Sequence, residues 1–482
     1  MIDFRQRGKT GASKGGASKG GAKGGAHERG TGRRSSAGAT GTASSGIPGV
    51  RGPSTRSPAV RAQSRIESLT IEAIAAGGDG VGRIDGLAAF IPRTAPGDVV
   101  EASLVSHGRF ARGHITRVLT PSPSRVTPLC VHYTGDDCGG CQLQHLSEHA
   151  QLDAKARIVR DTLARIGKRD VELPTVERSP KAWDYRQKLT LTLVRNSATR
   201  QWIGGLHPLG QADSVFALEE CRITDPALVA AWHAVRTAMA WLPDGPSLRI
   251  TFRLVPDTDR VALTVAGGTS WKEWKTFAGR INMLGALWWI SSANERSELV
   301  APQSSFQNTA VNFVQVNAAM AQVMHQRVFD AVMEFAPKHV VDAYAGTGEL
   351  SLALTVRGVS VSAIEWDHAA VALLRAELPE GSAALAAPVE EMIERAMYDP
   401  RRPDVVVLNP PRVGVDAFVT STLEVQAKEG LRAIVYVSCD PATLARDLKR
   451  LPSWRIQSLR CFDMFPQTAH VETVCVLIPE GA

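Results

Sequence analysis

Cys439 stands at a place in the sequence where a cysteine can act as a nucleophile. Residues Leu431 to Val437 form a short apolar run rich in β-branched side chains, which indicates a buried strand. Asp440 and Pro441 follow, a pair typical of the start of a helix. Ligands bind at the carboxyl ends of strands in open α/β sheets, and the positive end of a helix dipole favours thiolate. We therefore predict a reactive thiol with a lowered pKa; the alternative is a buried structural cysteine.

Four other cysteines are spaced like ligands of one metal centre. Three lie close together and the fourth far downstream: Cys130, Cys138, Cys141 and Cys221. Four thiolates suit either a tetrahedral zinc ion or an iron–sulfur cluster, and the spacing alone does not decide between them. Two glycines between Cys138 and Cys141 let backbone amides approach sulfur closely. The chain has 7 cysteines, an odd and clustered set that favours metal or catalytic use over disulfides.

A strand, a glycine loop and a helix are predicted from Val340 to Leu350. Gly346 lies in this loop and, with the glycine two residues later, lets the backbone approach a ligand; the pattern also suits a dinucleotide. The next predicted strand ends in Glu365, a carboxylate placed to accept hydrogen bonds from ribose hydroxyls. Two further polar loops follow predicted strands: Asn409-Pro-Pro-Arg412 and Phe465 to Glu472.

Length and composition predict several segments in a chain of 482 residues. Residues 1–61 are rich in Gly, Ser, Lys and Arg, so we predict a disordered basic tail that either contacts RNA or only adds solubility. Residues 62–120 show short strand patterns with glycine turns and predict a small β-barrel, of a kind that often binds single-stranded nucleic acid. Residues 121–300 have a mixed α/β pattern and contain the four spaced cysteines. Residues 301–482 predict a Rossmann-like α/β domain.

The compartment is predicted from what the sequence lacks. The sequence contains no run of about 18 apolar residues, so it predicts no membrane span. The N-terminus has no charged-then-apolar signal pattern. We expect a cytoplasmic protein, a monomer, with no membrane partner.

Five motifs, in this order and spacing, resemble those of the RNA uracil-5-methyltransferases. They are Gln315-Val-Asn317, Asp342-Ala-Tyr-Ala-Gly-Thr-Gly348, Asn409-Pro-Pro-Arg412, Ser438-Cys-Asp-Pro-Ala-Thr-Leu-Ala-Arg-Asp447 and Asp463-Met-Phe-Pro-x-Thr-x-His-x-Glu472. The resemblance covers about residues 62–480. The barrel resembles the TRAM domain, an OB-like barrel, and the cysteine spacing resembles the [4Fe-4S] site of the ribosomal-RNA members. This implies an RNA-binding central domain and a C-terminal class I methyltransferase domain.

The resemblance also implies roles for single residues. Cys439 would add to uracil C6, which makes C5 nucleophilic, and Glu472 would then remove the C5 proton. S-adenosylmethionine would be held by six residues: Gln315, Tyr344, Gly346, Glu349, Glu365 and Asn409. The barrel and the four thiols favour ribosomal RNA over tRNA as the substrate. The expected cofactors are S-adenosylmethionine and a [4Fe-4S] cluster, with zinc as the alternative metal.

Three departures from the family pattern are expected to matter. Asn409 replaces the usual Asp, Glu349 replaces a frequent Asn, and the spacing from Cys130 to Cys138 is longer than the commonest one. For Asn409 we predict that activity is retained and that the affinity for cofactor or uracil is altered; Glu349 has no explanation from the sequence, and the longer spacing bears on the cluster site. Two other functions remain open: an RNA-binding protein with a vestigial methyltransferase fold, and an amino-group methyltransferase of the Asn-Pro-Pro type, which needs no Cys439.

Overall fold

The computed structural model describes residues 64–255, 258–301 and 315–481. These residues belong to one compact unit, Ala62–Ala482. The predicted basic tail, residues 1–61, lies outside the described residues. In the described part of the chain, no helix has both the length and the apolar character needed to cross a bilayer.

The first strands close into a small barrel. The strands are β1 (Arg65–Ile74), β2 (Gly80–Ile84), β3 (Leu87–Ile91), β4 (Val99–Ser106) and β5 (Phe110–Thr120). They are ordered β1-β2-β3-β5-β4, and β4 pairs with β1 to close the barrel. Alternate side chains such as Leu69, Ile71, Val100 and Leu104 point inward and are buried, as a period of two requires. The predicted barrel is confirmed.

A connecting segment leads from the barrel to a second sheet. It contains α1 (Val131–Gly135), α2 (Glu148–Thr162), a π-helical turn (Leu163–Gly167) and β6 (Thr175–Glu177). The second sheet has the order β13-β12-β11-β10-β7-β8-β9. Its strands are β7 (Lys188–Arg195), β8 (Trp202–Leu206), β9 (Phe216–Ala217), β10 (Ser247–Leu254), β11 (Val261–Ala266), β12 (Leu284–Ile290) and β13 (Arg296–Val300). The helices α3 (Pro226–Thr237) and α4 (Trp274–Gly279) belong to this region, and α3 packs on the sheet around the buried Trp232.

The third sheet is the doubly wound α/β sheet that the sequence predicted, and this fold class is confirmed. Its strands are β14 (His339–Ala343), β15 (Ser360–Glu365), β16 (Ala383–Ala386), β17 (Val405–Leu408), β18 (Ala433–Ser438), β19 (Trp454–Phe462) and β20 (Glu472–Pro479). The helices are α5 (Ala318–Met333), α6 (Glu349–Val356), α7 (His368–Glu377), α8 (Val389–Met397), α9 (Ala417–Gln426) and α10 (Pro441–Leu448). Alternate residues of β14 face two separate cores, Val340 on one side and Val341 on the other, which explains the continuous apolar run of this strand.

The strand order determines where the ligand crevice lies. It is β16-β15-β14-β17-β18-β20-β19-β6, with β14 to β18 parallel and β20 antiparallel to both of its neighbours. The order reverses between β14 and β17, so the loops after these strands diverge and leave a crevice at their carboxyl ends. The loops after β14, β15, β17 and β18 therefore surround one space.

The connecting segment is tied into this sheet. Its strand β6 pairs in parallel with β19, and α10 packs against α2 and the π-helical turn. Residues from both sides of position 300 thus share one hydrogen-bonded sheet. The boundaries at 120 and 300 stay a prediction.

Candidate active site

Cys439 lies in the bend between β18 and α10, where the sequence placed it. Ser438 ends the strand, Asp440 is the N-cap, and Pro441 is the first helical residue. The Asp440 carboxylate accepts hydrogen bonds from the amides of Ala442 and Thr443 at 2.7 and 3.2 Å. The thiol itself is partly exposed, so a ligand in the crevice can reach it.

The predicted lowering of the Cys439 pKa is wrong. The pKa of this thiol is raised to about 11, mainly by burial and also by the nearby Glu472 and Asp440 carboxylates, while Arg412 opposes the shift. The prediction considered the helix dipole alone. The carboxylate of Asp440 already occupies the amides at the helix start, so the positive end of the dipole is largely neutralised there. The thiol is therefore protonated at neutral pH in the ligand-free protein.

Glu472 is the first residue of β20 and is only 5% exposed. Strands β18 and β20 are antiparallel, and Ser438 pairs with Thr473. The next residues outward are Cys439 and Glu472, so the register sets them side by side. Burial raises the pKa of Glu472 to about 7, and Arg412 opposes this shift. A carboxylate with such a pKa can take up a proton near neutral pH.

Arg412 completes the group, and sequence reasoning did not assign it a role. The residue is exposed and follows Asn409-Pro-Pro after β17. Its positive charge lowers the pKa of Cys439, Glu472 and His470. Its place at the end of the Asn-Pro-Pro-Arg motif was the signal that would have identified it.

The glycine loop after β14 is shaped for a close ligand. Gly346 has φ +56° and Gly348 φ +80°, and a Cβ added to Gly348 would lie 2.3 Å from a side-chain methyl of Leu374. Glu365 is buried at the end of β15, where its carboxylate accepts hydrogen bonds from the amides of Gly346 and Asp367, both at 2.9 Å. Glu365 therefore links the loop after β14 to the loop after β15, and it also lines the crevice.

Asp342 is a second buried carboxylate in this crevice, although the sequence only included it in a motif. It is 3% exposed, and Ser351 donates a hydrogen bond to it at 2.6 Å. Burial raises the pKa of Asp342 to about 6, and the neighbouring Glu365 adds to this effect. The two carboxylates make the crevice between β14 and β15 strongly acidic.

The remaining predicted cofactor residues lie around the same crevice. Tyr344 has φ +64° in the glycine loop and packs against the core. Glu349 begins α6, where an ion pair with His325 at 2.9 Å lowers its pKa. Asn409 is exposed after β17, and its backbone amide donates a hydrogen bond to the carbonyl of Ala343 at 3.2 Å. Gln315 is half-buried just before the Asn317 that caps α5.

The four spaced cysteines converge, as their spacing predicted. Cys130, Cys138, Cys141 and Cys221 line one cavity of about 200 Å³. The amide of Gly140 approaches the sulfur of Cys138 at 3.4 Å, and the hydroxyl of Thr224 approaches that of Cys221 at 3.1 Å. Hydrogen bonds of this kind stabilise thiolate ligands in metal centres.

The four thiols line a common cavity without forming a preformed metal site. Zn–S bonds are about 2.3 Å long, so one zinc ion would draw its four sulfurs to within about 4 Å of one another. In residues 64–255, 258–301 and 315–481, no three Cys, His, Asp or Glu side chains form a group that could hold a metal ion. The [4Fe-4S] cluster and the zinc alternative stay predictions.

The doubly wound sheet, the glycine loop and the acidic crevice define a Rossmann-like methyltransferase. Residues 394–480 match the family model described as tRNA (Uracil-5-)-methyltransferase. The chain is 30% identical to the 23S rRNA (uracil(1939)-C(5))-methyltransferase of Halomonas elongata, over 85% of this chain and 89% of that one. It is 31% identical to an uncharacterized RNA methyltransferase of Thermosynechococcus vestitus, over 85% of this chain and 97% of that one.

A solved structure shares the fold. It is the Pyrococcus abyssi tRNA (uracil-54, C5)-methyltransferase in complex with S-adenosyl-L-homocysteine, with a TM-score of 0.62, 21% identity, and coverage of 85% of this chain and 99% of that chain. The chain belongs to the RNA (uracil-5-)-methyltransferase family. The resemblance stated from the motifs is thereby confirmed, as is the prediction that the protein is a methyltransferase enzyme.

Proposed function

We propose that this enzyme methylates C5 of a uridine in ribosomal RNA, with S-adenosylmethionine as the methyl donor. The observation that carries the proposal is the pair Cys439 and Glu472, set side by side by the register of β18 and β20 at the edge of the acidic crevice. One thiol and one carboxylate with a pKa near neutrality are what C5 methylation requires, because a nucleophile must add to C6 and a base must remove the C5 proton.

The cofactor crevice fits an adenosine with a cationic sulfur. Gly346 and Gly348 give close backbone approach, and Glu365 offers carboxylate oxygens to ribose hydroxyls. Gln315, Tyr344, Glu349 and Asn409 complete the proposed lining. The acidic surroundings of Asp342 favour a positive ligand. S-adenosylmethionine bound there supplies an electrophilic methyl group.

The protein's own groups carry the proton and bond changes at the uracil ring. The Cys439 thiol first releases its proton to solvent; the thiolate sulfur then bonds to C6, and the electron pair of the C5–C6 double bond moves onto the ring as an enolate. The charge of Arg412 favours the thiolate in this step. After C5 has gained a methyl group, Glu472 removes the C5 proton and the sulfur–C6 bond breaks, which restores the double bond and the thiolate. A base inside folded RNA has to be flipped out to reach this site.

We further propose that the four-cysteine cavity holds a [4Fe-4S] cluster, with zinc as the alternative. Cys130, Cys138, Cys141 and Cys221 would hold it. Methyl transfer moves no net electrons to the protein, so we assign the cluster a structural part. Metal analysis with the absorbance spectrum of the purified protein tests this: about four irons per chain supports the cluster, and one zinc per chain replaces it.

The substrate class rests on the barrel, the four cysteines and the H. elongata relative, which is named as a 23S rRNA enzyme. The second candidate is tRNA, because the family model and the P. abyssi structure are described as tRNA enzymes. Nucleoside mass spectrometry of separated rRNA and tRNA from a deletion strain distinguishes the two. Loss of 5-methyluridine from rRNA alone supports the proposal, loss from tRNA alone supports the alternative, and no loss contradicts both.

A further inference from the structure

The loop that leads into Glu472 is held mainly by residues outside the doubly wound sheet. This loop, residues 463–471, joins β19 to β20 and is called the base loop here. Glu472 follows it directly, so the position of the loop sets the position of the carboxylate. The base loop is hydrogen-bonded to α2 and to residues 130–145, which are called the cysteine segment here.

One anchor is a buried ion pair from α2. The ammonium group of Lys155 pairs with Asp463, and the two side chains are 0% and 3% exposed. Lys155 also donates to the carbonyl of Phe465 at 3.0 Å. A charge pair withdrawn from water to this degree persists only when its geometry and its other hydrogen bonds are good, so it holds the start of the loop tightly.

The second anchor is Gln467, which five hydrogen bonds hold in a left-handed conformation with φ +70°; the longest, from its side chain to the carbonyl of Ala182, measures 3.5 Å. The side-chain nitrogen of Gln151 donates a hydrogen bond to the side-chain oxygen of Gln467 at 2.9 Å. The backbone amide of Gln467 donates in turn to the side-chain oxygen of Gln151 at 3.0 Å. The carbonyl of Gln467 accepts hydrogen bonds from the amides of Gln142 and Leu143, at 3.1 and 2.9 Å. A non-glycine residue keeps such a conformation only where its surroundings determine it.

Two residues that hold the base loop, Gln142 and Tyr185, adjoin the four-cysteine site. Gln142 follows Cys141 directly, and its side chain accepts a hydrogen bond from the amide of Ala469 at 3.4 Å. Tyr185 is 3% exposed, lies in one buried cluster with Cys130 and Cys141, and donates its hydroxyl to the carbonyl of Pro466 at 3.1 Å. The base loop is thus hydrogen-bonded to the residues that pack around the four thiols.

We propose that Tyr185 and Gln467 are positioning residues through which the four-cysteine site sets the place of Glu472. A group bound by the four thiols would hold Cys141 and, through the next two amides, the carbonyl of Gln467. Four residues separate Gln467 from Glu472, and the Lys155 anchor limits the loop at its other end. This inference rests on the proposed role of Glu472 as the base and extends it to the residues that hold the base in place.

Hydrogen–deuterium exchange of the full-length, metal-loaded protein without RNA tests the coupling. The amides of Gln467 and Ala469 are the reporters, because the side chains of Gln151 and Gln142 accept their hydrogens. We expect Gln151→Ala, which removes both of its hydrogen bonds to Gln467, to speed their exchange about tenfold, and Tyr185→Phe, which removes one bond to the base loop, about threefold to fivefold. Tyr436→Phe is the control: it also removes a buried hydroxyl bond, to Asp447, outside both the base loop and the cysteine segment.

A fourth variant asks whether the thiols themselves matter to the base loop. Cys221→Ala weakens the metal site at a residue far from the loop in sequence, and we expect faster exchange at Gln467 and Ala469. The coupling is overturned if Cys221→Ala loosens only the cysteine segment, or if Tyr185→Phe leaves the reporters at the rate of Tyr436→Phe. If Cys221→Ala does not fold, the exchange rates of Tyr185→Phe compared with those of Tyr436→Phe are the test, because Tyr185→Phe keeps all four thiols.

A catalytic readout separates positioning from simple destabilisation. We expect Tyr185→Phe to lower kcat about fivefold and shift the pH–rate profile, with the RNA Kd unchanged. A lower thermal midpoint with an unchanged kcat and profile at low temperature would contradict the proposal. Because the exchange experiment needs neither RNA nor turnover, it stays decisive for the coupling even if uridine methylation is disproved.

Discussion

The Cys439 thiol and the Glu472 carboxylate lie side by side, each as the residue next to the paired Ser438 and Thr473 of two antiparallel strands. Burial raises both pKa values, to about 11 for the thiol and to about 7 for the carboxylate, and the carboxylate is one of the groups that raise the pKa of the thiol. The nucleophile and the base are therefore coupled electrostatically before any substrate binds. Arg412 moves both pKa values in the opposite direction.

Glu472→Gln should separate the two halves of the reaction. The amide cannot accept the C5 proton, so we expect turnover to fall about 10²- to 10⁴-fold, while the covalent protein–RNA complex accumulates. Denaturing gels with labelled RNA measure the complex. Glu480→Gln, an exposed carboxyl just beyond the same strand, is the control and should behave as wild type. A turnover defect without any trapped complex would argue against Glu472 as the base.

Cys439→Ala should abolish methylation and every covalent adduct. RNA containing 5-fluorouridine has no C5 proton to lose, so the wild-type enzyme should remain bonded to it through Cys439. Peptide mass spectrometry of the adduct identifies the residue. Cys461→Ala removes a buried thiol outside the crevice and should still form the adduct. Methylation by Cys439→Ala would instead support amino-group chemistry or another nucleophile.

The pH dependence follows from the directions of the two pKa shifts. Glu472 must be deprotonated to act as a base, so kcat/KM should rise with pH through about 7. Above that value it should keep rising more slowly, because the thiolate fraction of Cys439 grows towards its pKa of about 11.

The charge of Arg412 should set the position of this pH profile. Arg412→Gln removes the cation that lowers both pKa values, so the profile should move to higher pH. Arg412→Lys keeps the charge and should shift the profile less. A profile that is unchanged in Arg412→Gln would show that the guanidinium does not act on the two groups during turnover.

Gly348→Ala should damage the cofactor loop beyond its backbone strain. Gly348 has φ +80°, and an added Cβ would lie 2.3 Å from Leu374. Gly358→Ala is the matched control, because its φ is +78° but no heavy atom lies within 4 Å of the added Cβ. We expect Gly348→Ala to lower the free energy of unfolding by about 1–3 kcal/mol more than the control does. Urea unfolding measures this, and calorimetry should show weaker S-adenosylhomocysteine binding.

Asn409→Asp tests the departure from the family pattern. Asn409 is exposed at the crevice, so an added charge should change cofactor or uracil affinity by up to about fivefold, in keeping with interactions worth about 1 kcal/mol or less at exposed sites. Turnover should persist. If neither binding nor turnover changes, position 409 matters less than its place in the motif indicates.

Local patterns in the sequence were sufficient for the elements and for several site residues. Alternating and continuous apolar runs predicted the barrel and the doubly wound sheet, since burial on one or two faces leaves that imprint on neighbouring residues. The bend at Cys439, the glycine loop before α6 and the convergence of four cysteines were predicted from spacing and turn residues. The bend and the glycine loop depend on residues close together in the chain.

The tertiary structure decided what depends on distant residues meeting. The pKa of Cys439 was predicted in the wrong direction, because the opposing carboxylate comes from β20 and the degree of burial is not written in a short motif. Arg412 acquires its role only where the ends of β17 and β18 meet the start of β20. The pair Lys155–Asp463 joins residues 308 positions apart. Proximity of this kind arises from the packing of whole elements, so the sequence by itself determined which groups are present and only the tertiary structure decided which of them act on each other.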